Sequence, residues 1–316
     1  MEAFSLPLYL APLAGVTDSV FRRIARRCGA DLVFSEMVSS RALTYRDAKT
    51  RRLLFFTPQE RPIYIQIFGN DPSVMAEAAR MCLEVGPEGI DINMGCPMPK
   101  VTGGGDGGAL MKNIDLAGRI VEAVARAVPV PVLVKFRSGW DEEHLCAVEF
   151  GKRMEQCGAR GLTLHPRTVR QQYAGKADWG QVKALCEAVK IPVALSGDVV
   201  SPESARLAAE TGANALMIGR AALGDPWIFR RLRGTEEEIT TDRRLCAALY
   251  HARLLCEQDG ERLGMCESRK FSGWYLKGFP DAAALRGACT RVSTYQALEN
   301  LLLPRVGRVY CEEEIF

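Results

Sequence analysis

The sequence predicts a (β/α)8 TIM barrel over residues 1–235 followed by a small helical domain over residues 236–316. Three observations carry this. Eight short runs rich in Val, Ile and Leu recur with amphipathic stretches between them. Eight strands with eight crossovers in about 230 residues match the size of such a barrel. After Phe229 the rhythm changes to helical periodicity with no further βα unit. A doubly wound sheet is the runner-up, but the Gly-x-Gly-x-x-Gly loop it would favour does not follow the first run.

In order, the predicted strands are Leu8 to Ala11, Leu32 to Ser35, Ile63 to Ile67, Gly89 to Asn93, Val132 to Lys135, Gly161 to Leu164, Pro192 to Leu195 and Ala215 to Ile218. Between them, apolar positions at helical spacing predict helices over Pro72 to Leu83, Ile114 to Ala127, Cys146 to Cys157, Val182 to Val189 and Pro202 to Glu210. Glu236-Glu-Glu238 opens a polar junction, and helices follow from Thr241. The length of 316 residues suits one large α/β domain with an appendage.

Composition narrows the function classes. With 47% hydrophobic and 25% charged residues the chain reads as an ordered globular protein rather than a disordered one. Its 11 cysteines are scattered and never form a Cys-x-x-Cys pair, which argues against a disulfide framework, a zinc ribbon and an iron–sulfur cluster and favours a reducing cytoplasm. Pro7 and Pro12 break the first apolar stretch and no basic run precedes it, so neither a signal peptide nor a membrane span is expected. The net charge of +3 alone announces no nucleic-acid partner. Three local basic clusters are more suggestive: Arg22 to Arg27, Arg41 to Arg52, and Arg269, Lys270, Lys277, Arg286 and Arg291. Solvated helix faces give such clusters as often as anion sites do.

In a (β/α)8 barrel the site lies at the C-terminal strand ends. Polar residues gather there: Gln66 after strand three, Asn93 and Cys96 after four, Lys135 and Arg137 after five, His165 and Arg167 after six, Ser196-Gly197-Asp198 after seven, and Gly219-Arg220 after eight. Cys96 sits where Asn93, Gly95 and Pro97 turn the chain sharply out of a strand. A free thiol titrates near ~8.5, so at neutral pH it can serve as an acid. Glycines after strands seven and eight suit a phosphate, and a phosphorylated cofactor is expected. Lys135 reads equally as a Schiff-base lysine or as a cation beside a reduced flavin.

Together these residues resemble the tRNA-dihydrouridine synthases, most of all the bacterial branch labelled B. The resemblance rests on Ala11-Pro-Leu-Ala-Gly-Val-Thr-Asp18 with Phe21-Arg22, on Asn93-Met-Gly-Cys-Pro97 with Lys100-Val101, and on Val134-Lys-Phe-Arg137. His165-Pro-Arg-Thr168, Tyr173 with Gly175, Asp178-Trp179, Gly219-Arg220 through Pro226-Trp227, and then Arg269-Lys270, Trp274-Tyr275, Lys277-Gly278 and Leu285-Arg286 extend it over nearly the whole chain. It implies FMN contacted by Pro12, Leu13, Ala14, Gln66, Lys135 and His165, with its phosphate on Ser196, Gly197, Asp198, Gly219 and Arg220. It implies NADPH or NADH as reductant, Cys96 as proton donor, and a uridine of RNA, foremost the D-loop of tRNA, as substrate. Asn93, Lys100, Arg137, Arg167, Arg269, Lys270, Lys277 and Arg286 are then the expected substrate contacts, on a monomeric enzyme without an obligate protein partner.

The chain departs from the family pattern at Ser196, Pro166, Asp225, Phe271 and the glycine-rich run Thr102 to Gly108. Phe271 and that run are expected where RNA is read. Two other readings remain open: a small-molecule pyrimidine ene-reductase of the dihydroorotate or dihydropyrimidine dehydrogenase type, and an RNA-binding protein whose catalysis is dispensable. A dihydrouridine synthase acting on ribosomal RNA in place of tRNA is a variant of the leading reading.

Overall fold

The computed structural model describes residues 4–236 and 239–316. The expectations for Met1 to Ala3, and for Glu237 and Glu238 of the acidic junction, lie outside the described residues. The chain divides into two compact units: residues up to Arg22 with Ala30–Gly219, and Arg23–Gly29 with Arg220–Phe316.

The first unit is a barrel of parallel strands. They are β1 (Leu8–Leu10), β2 (Val33–Phe34), β3 (Val38–Ser39), β4 (Ile63–Phe68), β5 (Gly89–Met94), β6 (Val132–Arg137), β7 (Gly161–His165), β8 (Val193–Ser196) and β9 (Ala215–Ile218). Pairing runs β1-β9-β8-β7-β6-β5-β4-β2, and a parallel bridge between Tyr9 and Leu32 brings its two ends together. Helices cover the outside of such a sheet, so both strand faces are buried and the strands read as near-continuous apolar runs. All six residues of β5 are buried. The eight expected strands are present. The short β3 is an addition, pairing with the end of β4 through Val38 and Ile67. Two residues, of which Val38 is buried and Ser39 half-buried, leave too little periodicity to be read.

The crossover helices include α1 (Pro72–Cys82), α2 (Ile114–Ala127), α3 (Ala147–Gln156), α4 (Trp179–Ala188) and α5 (Pro202–Ala209). Each of α1, α2, α4 and α5 starts on a side-chain cap, at Asp71, Asn113, Asp178 and Ser201, which satisfies backbone N–H groups that a helix start leaves without partners. Inside the barrel, Ala11, Leu32, Phe34 and Met217 pack with Tyr9, Tyr64 and Leu133 into an apolar floor. The rings of Tyr9 and Tyr64 lie 6.2 and 5.9 Å from that of Phe34. Arg22, read from sequence as part of a basic surface cluster, is instead buried, with its Nε 2.6 Å from Glu60. Glu60 also accepts from Ser19 and Thr57, so the pair is fully solvated by protein groups.

The second unit is helical: α6 (Thr241–Asp259), α7 (Glu261–Tyr275), α8 (Ala282–Cys289) and α9 (Tyr295–Leu302) follow a short helix over Ile228–Leu232. α6 and α7 pack closely enough that a Cβ on Gly264 would stand 2.4 Å from the backbone nitrogen of Cys256, which requires glycine. Trp227, Tyr275 and Phe271 are among its fully buried rings, and the Trp227 Nε1–H donates to the Ile315 carbonyl at 2.6 Å. Phe271 corrects an expectation. It does not face outward to RNA but stacks in the core, 4.0 Å from the ring of His251. The departure at this position therefore concerns packing. Among the described residues, no helix is long and apolar enough to cross a membrane.

Candidate active site

Cys96 lies half-buried just beyond β5. Its loop is fixed by Asn93, whose Oδ1 accepts the N–H groups of Gly95 at 3.1 Å and Cys96 at 2.9 Å. From the other side Arg137 Nε donates to the Gly95 carbonyl at 2.8 Å, and Gly108 N–H to that of Cys96 at 3.0 Å. Burial raises the thiol pKa above its ordinary value, against smaller lowering effects of the Met98 N–H, Arg137 and Lys135. The group is therefore held as a neutral thiol at pH 7, able to give a proton.

Register aligns the neighbouring polar side chains. Gln66 on β4 pairs with Asp91 on β5, Asn93 pairs with Lys135 on β6, and Arg137 pairs with His165 on β7. Alternate residues of a strand share a face, so Asp91 and Asn93 both enter the barrel interior beside Gln66 and Lys135. Gln66 Nε2 donates to Asp91 Oδ2 at 2.6 Å, and Asn93 Nδ2 donates to Gln66 Oε1 at 2.9 Å. Burial pushes the Asp91 carboxyl up, opposed by Gln66 and Lys135, and pulls the Lys135 ammonium down, with Arg137 adding to the fall and Asp91 opposing it. Such paired perturbations on one rim are typical of functional sites.

The arginines of the rim brace its loops. Arg137 Nη1 donates to the carbonyls of Thr168 and Gln172, at 2.9 and 2.7 Å, with its guanidinium 5.7 Å from the Tyr173 ring centre. Arg167 is buried. It donates to Ala174 and Gly175 carbonyls, lies 3.3 Å from His165 Nε2, and makes a two-point pair with Asp198 at 2.9 and 2.7 Å. Gly197 has φ +128 and Asp198 φ +59, so the chain after β8 takes two left-handed residues in a row. A Cβ on Gly197 would come within 3.0 Å of the His165 ring. Ser196 is buried at the end of β8.

The remaining expected residues are more dispersed. Pro12, Leu13 and Ala14 form the turn after β1, where Leu13 N–H donates to Thr17 Oγ1 at 3.0 Å and Gly15 N–H donates to Glu36. Lys100 is exposed on the short helix Pro99–Thr102 that follows Cys96. Gly219 ends the barrel unit, and the exposed Arg220 opens the helical one. In that second unit, Arg269 donates to the Val292 carbonyl, Lys277 to that of Leu223 and Arg286 to that of Leu276, while Lys270 pairs with Glu267. Asp91 and Glu36 were not singled out in the sequence. A carboxylate two positions before Asn93 in an apolar run was the available signal for Asp91.

Comparison with known proteins completes the picture. The dihydrouridine synthase (Dus) family model matches residues 9–306. The tRNA-dihydrouridine synthase B of Pseudomonas aeruginosa is 42% identical over 306 residues, covering 93% of this chain and 91% of its own. A probable tRNA-dihydrouridine synthase of Rickettsia bellii is 39% identical over 304 residues, covering 94% and 93%. Among solved structures, the old yellow enzyme homologue of Zymomonas mobilis superposes with a TM-score of 0.55 at 17% identity, over 76% of this chain and 93% of that one, which is a likeness of fold. With a family match across the barrel and most of the helical unit, and relatives near 40% identity over almost its whole length, the chain belongs to the dihydrouridine synthase family.

Proposed function

We propose that this chain reduces the C5–C6 double bond of uridines in tRNA, foremost in the D-loop, with FMN as cofactor and NADPH as reductant. The observation that carries the reading is a neutral thiol, Cys96, held on the same barrel rim as Gln66, Asn93, Lys135 and His165. FMN held at this rim would supply hydride transfer, from NADPH to C6 of the uracil.

The chain's residues fit that cofactor. Consecutive left-handed residues at Gly197 and Asp198 shape a backbone concavity suited to a phosphate, and Arg167 draws the Asp198 carboxylate aside and neutralises it. Gly219 would complete this phosphate end, Pro12 to Ala14 would border the cofactor, and Lys135 would offer positive charge where a reduced flavin is electron-rich. Cys96 gives its proton to C5, and the thiolate regains one from water. The balance is one hydride at C6 and one proton at C5. Asn93 and Arg137 would border the uracil, although Arg137 already spends three of its hydrogen bonds on the loops. The target base must leave its stack, at a cost of a few kcal/mol, which phosphate contacts by Lys100 and by the exposed cations of the helical unit would offset.

The test is a reaction of the flavin-loaded protein with NADPH and unmodified tRNA, mapping dihydrouridine by mass spectrometry. Product at defined D-loop positions, absent with free uracil or dihydroorotate chemistry, supports the reading. Turnover of free pyrimidines without change in tRNA would defeat it.

A further inference from the structure

We infer that Asp91 is a positioning residue for Cys96, acting through a one-way relay of side-chain amides. The relay runs Asp91 Oδ2, Gln66 Nε2, Gln66 Oε1, Asn93 Nδ2, Asn93 Oδ1, and then the backbone N–H groups of Gly95 and Cys96, with links of 2.6, 2.9, 3.1 and 2.9 Å. Its members are buried: Asp91 is 0%, Gln66 1% and Asn93 9% exposed.

The polarity of the relay follows from donor and acceptor inventory. An amide side chain has one accepting and one donating end and can flip, whereas an ionised carboxylate only accepts and a backbone N–H only donates. The two N–H groups force Asn93 to turn its oxygen to the loop and its nitrogen to Gln66. In its ionised form, favoured by Lys135 alongside, the Asp91 carboxylate makes Gln66 turn its nitrogen to Asp91 and its oxygen to Asn93. Both ends thus impose the same direction, and flipping any one amide would set donor against donor or acceptor against acceptor in a buried interior, where each mismatch is costly. A leucine at this position would suit the strand equally well. A buried carboxylate is expensive to keep in an apolar run, and Asp91 Oδ1 has no hydrogen-bond partner among the described residues. The positive charge of Lys135, on the neighbouring strand, compensates it. Retaining such a group next to the thiol's anchor is accounted for by the alignment it provides.

The inference concerns the thiol's loop and rests on the proposed function only for the meaning of that thiol. Its test therefore reads the loop directly, by hydrogen exchange of the peptide containing Gly95 and Cys96 in flavin-loaded protein. Asp91→Asn is nearly isosteric but ends the relay in a group that can donate or accept. Exchange at the loop is expected to quicken about tenfold, with dihydrouridine formation falling comparably in kcat and little in KM. Gln66→Glu alone sets two carboxylates together and is expected to be worse. The double variant Asp91→Asn with Gln66→Glu restores a consistent direction, because the carboxylate introduced at position 66 accepts from the amide introduced at position 91 on one side and from Asn93 on the other. It should exchange more slowly than Gln66→Glu alone, a coupling opposite in sign to simple accumulation of damage.

Unchanged exchange in Asp91→Asn would overturn the inference. So would a double variant that exchanges as fast as, or faster than, both single ones, including through failure to fold. If the coupling is found while the wild type forms no dihydrouridine, the relay stands and the proposed uridine reduction falls.

Discussion

The barrel rim and the core of the helical unit both bury ionisable side chains, and they do so to opposite ends. On the rim Asp91, Arg137, His165 and Arg167 lie together, with Lys135 between them, each bonded to or electrostatically compensated by another polar group. In the helical unit the fully buried His251 is enclosed by the rings of Phe271 and Tyr275, and burial lowers its pKa to about 3. One region concentrates charge where chemistry can use it. The other keeps its buried imidazole neutral, as a shaped, weakly polar piece of core. Burial of a titratable group is therefore informative only together with its neighbours.

The largest expected effect tests the rim's chemistry. Cys96→Ala should lower dihydrouridine formation by about 10²–10⁴, the usual worth of a general acid, while flavin content and NADPH oxidation persist. Loss of flavin, or full product formation, would show that the thiol has another role. Arg167→Met should come next, because it removes the guanidinium that pairs with the Asp198 carboxylate and donates to two loop carbonyls. Asp198 keeps some water contact, so the stability loss should be about 2–3 kcal/mol, below that for a wholly buried pair, and flavin should wash out. A variant that melts like wild type and stays yellow would contradict the bracing role.

The helical core supplies the contrasting experiment. His251 has a folded pKa below its unfolded value of about 6.5, so above that pH both states are neutral and nothing is at stake. As pH falls below 6.5 the unfolded chain takes up a proton that the native core refuses, and stability is lost at about 1.4 kcal/mol per pH unit until the folded pKa near 3 is reached. Denaturant midpoints at pH 7 and pH 5 should therefore converge in His251→Leu by about 2 kcal/mol relative to wild type. Equal acid sensitivity in both proteins would mean that His251 is protonated in the native core.

The barrel was legible because parallel strands covered on both faces leave apolar runs, and the strand-end rule then placed Gln66, Asn93, Cys96, Lys135 and His165 on one rim. What stayed hidden was direction and partnership. The residue types at Arg137 and Arg167 suggest substrate contacts, yet Arg137 donates to the distant Thr168 and Gln172 carbonyls and Arg167 to the Ala174 and Gly175 carbonyls of its own loop. Asp91 looked like one polar residue in a strand until register set it beside Gln66. Phe271 follows a basic pair in the sequence but lies on the inner face of α7, which the mixed periodicity of that helix conceals.

The smallest expected effect separates two cations of the helical unit that look alike in sequence. Lys277 is exposed and bonds one carbonyl, that of Leu223, at 3.2 Å, whereas Arg286 is half-buried and donates at 2.7 Å to the carbonyl of Leu276, at the end of α7. A phosphate contact shows itself in salt dependence. Lys277→Ala should weaken tRNA binding severalfold, reduce the slope of log Kd against log salt by about 0.7–0.9, and change stability by less than about 0.5 kcal/mol. Arg286→Ala should instead cost about 1 kcal/mol of stability, since it leaves a helix-terminal carbonyl without its donor, and change the salt slope less. Equal salt slopes for wild type and Lys277→Ala would remove Lys277 from the RNA surface, and a larger slope change in Arg286→Ala would mean that its guanidinium exchanges the carbonyl for phosphate when RNA binds.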